Sequence, residues 1–284
     1  MLIRAAMRLI ELSPQFRRFL WRRWYEFLAG YRVSDWGFMN YGYSSLLTNE
    51  PGLRLQADDE PNRFSIQLYH HVASAVVLQG LDVLEVGCGR GGGASFVKRY
   101  LGPKRMTGVD FSARAVRFCR DHHRVEGLSF VCGDAESLPL GDASFDVVIN
   151  VESSHCYGSM PAFLDQVKRV LRPGGYFLFA DLRSAVDRDG LHQQILDSGM
   201  TPLDQQDITA NVAEALRRDS ARKLALIEQN VNRRLLKTFR QFAAIEGSET
   251  YNAFRNGSFV YVHYLLQKPL RGMTPAPLHV CTPD

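Results

Sequence analysis

The chain has 284 residues, 45% hydrophobic and 11% aromatic, which is enough apolar material for one large domain with embellishments. Its net charge of +4 is uneven: residues 1–32 carry seven arginines against two glutamates, a net +5, so the remaining body is close to neutral. That balance argues against the basic stripe of a nucleic-acid-binding protein. No window approaches the roughly 20 apolar residues of a membrane span, and Arg8, Glu11 and Pro14 interrupt any N-terminal signal-like run. Five scattered cysteines without a C-x-x-C pair predict reduced thiols and a cytoplasmic location.

In chain order, residues 16–28 have helical period, with Phe16, Phe19, Leu20, Trp24, Phe27 and Leu28 on one face and Arg18, Arg22 and Glu26 opposite. Two readings stay open: a lid packed on the domain with its arginines in water, or an amphipathic helix touching an anionic membrane. Residues 33–61 form a Gly-, Asn- and Pro-rich connection carrying Tyr41 and Tyr43, and Asn62 to Leu78 reads as a helix. From there strands and helices alternate. Strands are predicted at 81–86, 105–110, 128–132 and 145–151, with helices over 92–101, 112–124 and 160–171. Pro173-Gly174-Gly175 reads as a turn before a strand from Tyr176 to Leu182. This alternation predicts an α/β fold with a mainly parallel sheet and helices on both faces. Residues 185–238 read as an inserted helical cap, with closing strands near 240–246 and 258–266 and a loose tail over 271–284. The expected division is therefore 1–61, 62–184, 185–238, 239–270 and 271–284.

In such sheets, ligands sit at the carboxyl ends of the strands. The first strand ends in Glu85 and a loop containing Gly87, Cys88, Gly89 and Gly91, a turn that brings backbone close to a ligand. Gly87, Gly89 and Gly92 also match the spacing of a dinucleotide fingerprint, but a carboxylate two residues before the loop disfavours a pyrophosphate and favours a cation. S-adenosylmethionine has an adenosyl group, a positive charge and no phosphate. Asp110 ends the second strand, where it can accept from ribose hydroxyls, and Phe111 can cover the adenine. Asp134 and Ala135 end the third, where the carboxylate can accept from the adenine amine. The fourth strand leads through Asn150 to Glu152 and His155. No carboxylate cluster calls for a metal, and Cys119, His122, His123 and Cys132 match zinc spacing poorly.

Leu84-Glu85-Val86-Gly87-Cys88-Gly89-Arg90-Gly91, Gly108-Val109-Asp110, Gly133-Asp134-Ala135, Phe145-Asp146-Val147-Val148 and Leu171-Arg172-Pro173-Gly174-Gly175 resemble the motif series of class I S-adenosylmethionine-dependent methyltransferases. The segments 59–63, 68–70, 91–95 and 151–157 are in addition similar to the mycobacterial phthiotriolone and phenolphthiotriolone dimycocerosates methyltransferase family. That resemblance implies a doubly wound, Rossmann-like seven-stranded sheet with an N-terminal helical lid and a helical insertion after strand five. It also implies O-methylation of a hydroxyl on a hydrophobic, polyketide-type lipid. Carbon methylation of sterol or tocopherol type, or N-methylation of a small natural product, are the alternatives. His155 is the candidate general base, with Glu152 orienting it or touching the cofactor. Asn150 and Tyr43 are further candidates for the cofactor side, and Tyr41, His70 and Tyr157 for the substrate side. The oligomeric state stays open.

Overall fold

The computed structural model describes residues 14–28, 37–47 and 52–270. The expected tail over 271–284 lies outside the described residues. Seven strands form one sheet: β1 (Asp82–Val86), β2 (Arg105–Asp110), β3 (Leu128–Cys132), β4 (Phe145–Val151), β5 (Leu171–Ser184), β6 (Thr201–Asp207) and β7 (Phe259–Gln267). Their order is β3-β2-β1-β4-β5-β7-β6, and β7 runs antiparallel to both of its neighbours. The order reverses between β1 and β4. Adjacent connections leave there in opposite directions, so a crevice opens at the carboxyl ends of those two strands.

Burial explains the sheet. Every residue of β1 is buried, as a central strand covered on both faces requires. Its alternate side chains enter different cores. Val83, with Val147 and Ile149 of β4, joins a core with Ile66, Leu68 and Val72 of α2 (Arg63–Ala73). Leu84 and Val148 join another with Phe163, Leu164 and Val167 of α5 (Met160–Val170). Between these lie α3 (Gly92–Phe96), continued by a wider turn over Val97–Leu101, and α4 (Ala113–His122). Ser112 caps α4 and Ser159 caps α5, each hydroxyl accepting from a first-turn amide.

Three sequence expectations need correction. Residues 185–238 are not wholly helical: between α6 (Arg188–Asp197) and α7 (Thr209–Asn230) they contain β6. This polar edge strand has no apolar alternation to read. It exists because its backbone pairs with β7, and a register shift beside Pro202 accommodates the missing amide. Residues 240–246 are not a strand, because α8 (Leu236–Phe242) runs into them and turns Phe239 into a local core with Leu28 and Ile227. The glycines at 174 and 175 lie within β5 rather than in a free turn: the Gly174 amide donates to Lys268 O and the Lys268 amide to Gly175 O. A last helix, α9 (Glu249–Arg255), precedes β7.

Candidate functional site

A cleft of about 320 Å³ opens at the predicted strand ends. Its floor is the loop after β1. The Gly87 and Cys88 amides donate to Val109 O, and the Gly89 amide donates to Asp110 Oδ2 at 2.9 Å. Asp110 Oδ1 accepts from the Ser112 amide at 2.9 Å, so one carboxylate ties two loops together. Each oxygen uses one lone pair in this way and keeps another for a ligand hydroxyl. Burial pushes Asp110 up to about 6 despite these two amides.

Gly87 sits at φ 76°, and a Cβ there would overlap Ser153 Oγ and come within 2.7 Å of Tyr157 Oη. Only glycine lets the loop pack against the segment after β4. Asn150 completes this junction. Its amide donates to Val86 O, Ser153 Oγ and Tyr157 Oη at 2.9, 2.8 and 3.1 Å.

Gly87, Cys88, Gly89, Asp110, Phe111, Asp134, Ala135, Glu152 and Tyr157 all line the cleft. Other expected residues do not. Glu85 is fully buried beneath the loop, where Tyr69 Oη donates to its Oε1 at 2.6 Å and its Oε2 has no partner. Burial lifts Glu85 to about 7. The carboxylate expected to meet the cofactor cation is thus a support of the loop, because its side chain points into the core shared with α2. Asn150 is likewise enclosed and acts as a clamp. Tyr43 stacks on His71 with ring centroids 4.3 Å apart, and His70 packs edge-on to Phe96. Tyr41 packs against Phe254, donates its backbone amide to Glu152 Oε2 at 2.8 Å, and lines a second cavity next to the cleft.

His155 does not line the cleft either. Its Nδ1 pairs with Asp181 Oδ1 at 2.8 Å, and its backbone amide donates to Asp181 Oδ2 at 2.9 Å. Arg183 and Ser154 bind the same carboxylate. Burial opposes a charged ring, but Cys156 and the buried Asp181 outweigh it and hold His155 protonated well above the usual histidine range. In this arrangement His155 is bound to Asp181 and stands outside the cleft lining.

The lid reading of the N-terminal helix, α1 (Pro14–Leu28), placed its arginines in water and did not foresee that they and the connection after it wall the cleft. Arg18, Trp21 and Arg22 line the cleft together with Phe38, Met39 and Asn40. Arg18 pairs with Asp134 and, at 3.0 Å, with Glu136, and Arg22 lies over the Phe111 ring at 5.6 Å. The arginines read as solvated therefore face the ligand side, while Phe19 and Phe27 stay exposed. Asp181 was also missed, although it lies at the carboxyl end of β5, where the rule applied to the other strands would have found it.

The residues present fit S-adenosylmethionine. The cleft sets carboxylates at three strand ends around a bare-backbone loop, and Phe111 and Asp134 share its lining. The residues that match zinc spacing poorly make other contacts: the His122 ring meets Phe118 O, the His123 ring meets Arg90 O, and Cys119 donates to Gly89 O.

Comparison with known proteins agrees. Residues 84–179 match the family model described as a methyltransferase domain. The phthiotriol/phenolphthiotriol dimycocerosates methyltransferase of Mycobacterium tuberculosis is 39% identical over 251 residues, covering 88% of this chain and 92% of that protein. A fatty-acid O-methyltransferase of Mycolicibacterium smegmatis is 40% identical over 235 residues, covering 82% and 83%. Among solved structures, geranyl diphosphate C-methyltransferase from Streptomyces coelicolor superposes with a TM-score of 0.64 at 16% identity, over 89% of this chain and 98% of that one. Its low identity speaks to fold alone. With its strand order, its cleft and relatives that span nearly its whole length, the chain belongs to the class I S-adenosylmethionine-dependent methyltransferases, in the family of the phthiotriol/phenolphthiotriol dimycocerosates methyltransferases.

Proposed function

We propose that the enzyme O-methylates a hydroxyl group on a long hydrophobic molecule. A second cavity, of about 90 Å³, carries this reading. It lies between α1, α7 and α8, is walled by Leu28, Leu226, Ile227, Phe239 and Phe242, and shares Phe38, Met39 and Asn40 with the cofactor cleft. An apolar chain seated there brings its polar end toward the shared segment and gains about 25 cal/mol for each Å² of surface removed from water. In this arrangement α1 serves as the lid and α7 with α8 as the substrate cap.

S-adenosylmethionine supplies an activated methyl group on a sulfonium. The protein's own contributions are to hold the acceptor in line with that group, to exclude water and to accept the acceptor's proton. The similarity to a fatty-acid O-methyltransferase supports a second acceptor, a carboxylate, which has no proton to lose at neutral pH.

The test is a panel of acceptors with S-adenosylmethionine: a long-chain secondary alcohol, a long-chain fatty acid and a short alcohol, with products read by mass spectrometry. The long-chain alcohol is expected to yield a methyl ether and the short one little. Ile227→Trp, which fills the second cavity, is expected to raise KM for the long chain at least about tenfold (about 1.4 kcal/mol) with cofactor affinity kept. Methyl incorporation on carbon or nitrogen, or equal turnover of long and short acceptors, would reject the reading.

A further inference from the structure

We propose that Glu152 is the general base that takes the acceptor's hydroxyl proton; this rests on the hydroxyl acceptor argued above. Glu152 is the residue after β4, and its amide still donates to Ala180 O at 2.8 Å, which anchors it to the sheet. It has φ 50°, one of three non-glycine residues with positive φ among the described residues. A glutamate in the left-handed region costs free energy that the surroundings must offset, and such strain gathers at functional sites. Here it turns the side chain into the cleft wall, beside Ser153 and the glycine loop.

The carboxylate is held by one oxygen and open at the other. Tyr41 N–H and Tyr261 Oη donate to Oε2 at 2.8 and 2.9 Å. Among the described residues nothing donates a hydrogen bond to Oε1, and Glu152 lines the cavity. A base needs this combination of fixed orientation and a free lone pair. The groups facing it are Tyr41, Tyr69 from α2, His155 and Asp181 on one flank, Lys223 from α7 and Tyr261 from β7. Burial dominates over the Tyr41 and His155 contributions and lifts Glu152 to about 7, which suits proton exchange near neutrality. His155, bound to Asp181, is left to hold the loop that carries Glu152.

The step balances. The acceptor oxygen bonds the methyl carbon, the carbon–sulfur electron pair stays with sulfur, and the hydroxyl proton goes to Glu152 Oε1. The sulfonium charge is lost as the carboxylate is neutralised, and no oxidant or metal is required.

The experiment compares wild type, Glu152→Gln and Tyr261→Phe on a long-chain alcohol and a long-chain carboxylic acid. For the wild type, kcat/KM on the alcohol is expected to rise with pH along a limb centred near 7. Glu152→Gln is expected to lose that limb and about 100-fold or more in kcat on the alcohol, with S-adenosylmethionine affinity within about threefold by calorimetry. Any carboxylic acid methylation is expected to survive, since that acceptor arrives deprotonated. Tyr261→Phe removes a hydrogen bond to the charged form, so the limb is expected to move to higher pH. In cofactor-free enzyme carrying ¹³C-carboxyl glutamate, the resonance lost in Glu152→Gln should titrate on the same limb, and it should shift likewise in Tyr261→Phe. Alcohol turnover within threefold of wild type in Glu152→Gln would overturn the proposal, as would a limb unmoved in Tyr261→Phe, which keeps the core volume should Glu152→Gln fail to fold. A large loss of cofactor affinity with kcat preserved would also overturn it, reassigning Glu152 to cofactor binding. Wild type that methylates no alcohol would instead reject the hydroxyl acceptor itself.

Discussion

At the residue scale, the cleft depends on a few positions where no other side chain would serve. Gly87 combines φ 76° with a Cβ direction occupied by Ser153 and Tyr157. Gly87→Ala therefore adds backbone strain of roughly 1–2 kcal/mol to a steric clash. It is expected to weaken binding of S-adenosylmethionine or its demethylated product about 100-fold (about 3 kcal/mol) by calorimetry. The fold should remain, because the strands and helices on either side of the loop keep their own buried cores. Glycine spacing made this residue legible in the sequence. Glu85 shows the opposite case. Its position two residues before the loop is visible in the sequence, but whether it meets ligand or core depends on where α2 brings Tyr69, which no local pattern contains. His155 was legible as a histidine beyond the fourth strand. Its partner Asp181 comes from 26 residues further on, and that partner fixes where its ring sits.

At the element scale, the strands were the most legible part. β2, β3 and β4 fall at 105–110, 128–132 and 145–151, as their apolar runs predicted. The helical period of α1 was also plain, yet its orientation was not. Amphipathicity says that two faces differ, not which one meets a cleft full of carboxylates. Arg18 bridges Asp134 and Glu136 across that cleft, so the pairing that orients α1 lies more than 100 residues away. Both ends are partly exposed, which limits the pair to about 1 kcal/mol. Arg18→Ala is accordingly expected to speed cofactor release about fivefold in stopped-flow experiments, with little change in thermal stability. An unchanged release rate would mean that α1 does not act as a lid. β6 was invisible because an exposed edge strand can be polar throughout; only the partner strand makes it a strand.

At the scale of the whole molecule, the sheet buries a histidine whose charging in acid opposes folding. His263 of β7 is 2% exposed, both ring nitrogens lack partners, and burial together with nearby His71 lowers it to about 4. A histidine whose folded value lies below its unfolded 6.5 is stable while neutral. As pH falls from 6.5 toward 4, the unfolded chain takes up the proton first and stability is lost. His263→Phe should remove this loss. Relative to wild type, its unfolding free energy is expected to improve by about 2 kcal/mol more at pH 5 than at pH 8, read by urea denaturation. An equal difference at both values would show that His263 does not titrate with folding.

The sequence by itself determined the sheet core, the glycine loop, the acids at the strand ends and, through them, the cofactor. Each of those follows from local periodicity or from a few neighbouring residues, so each is written where it acts. Only the tertiary structure decided which acids face the cleft, which helix face closes it, and that Glu152 lines the cleft while His155 pairs with Asp181 outside its lining. These depend on partners such as Tyr69, Asp181 and Tyr261, separated by tens of residues or more and brought together only when the sheet closes.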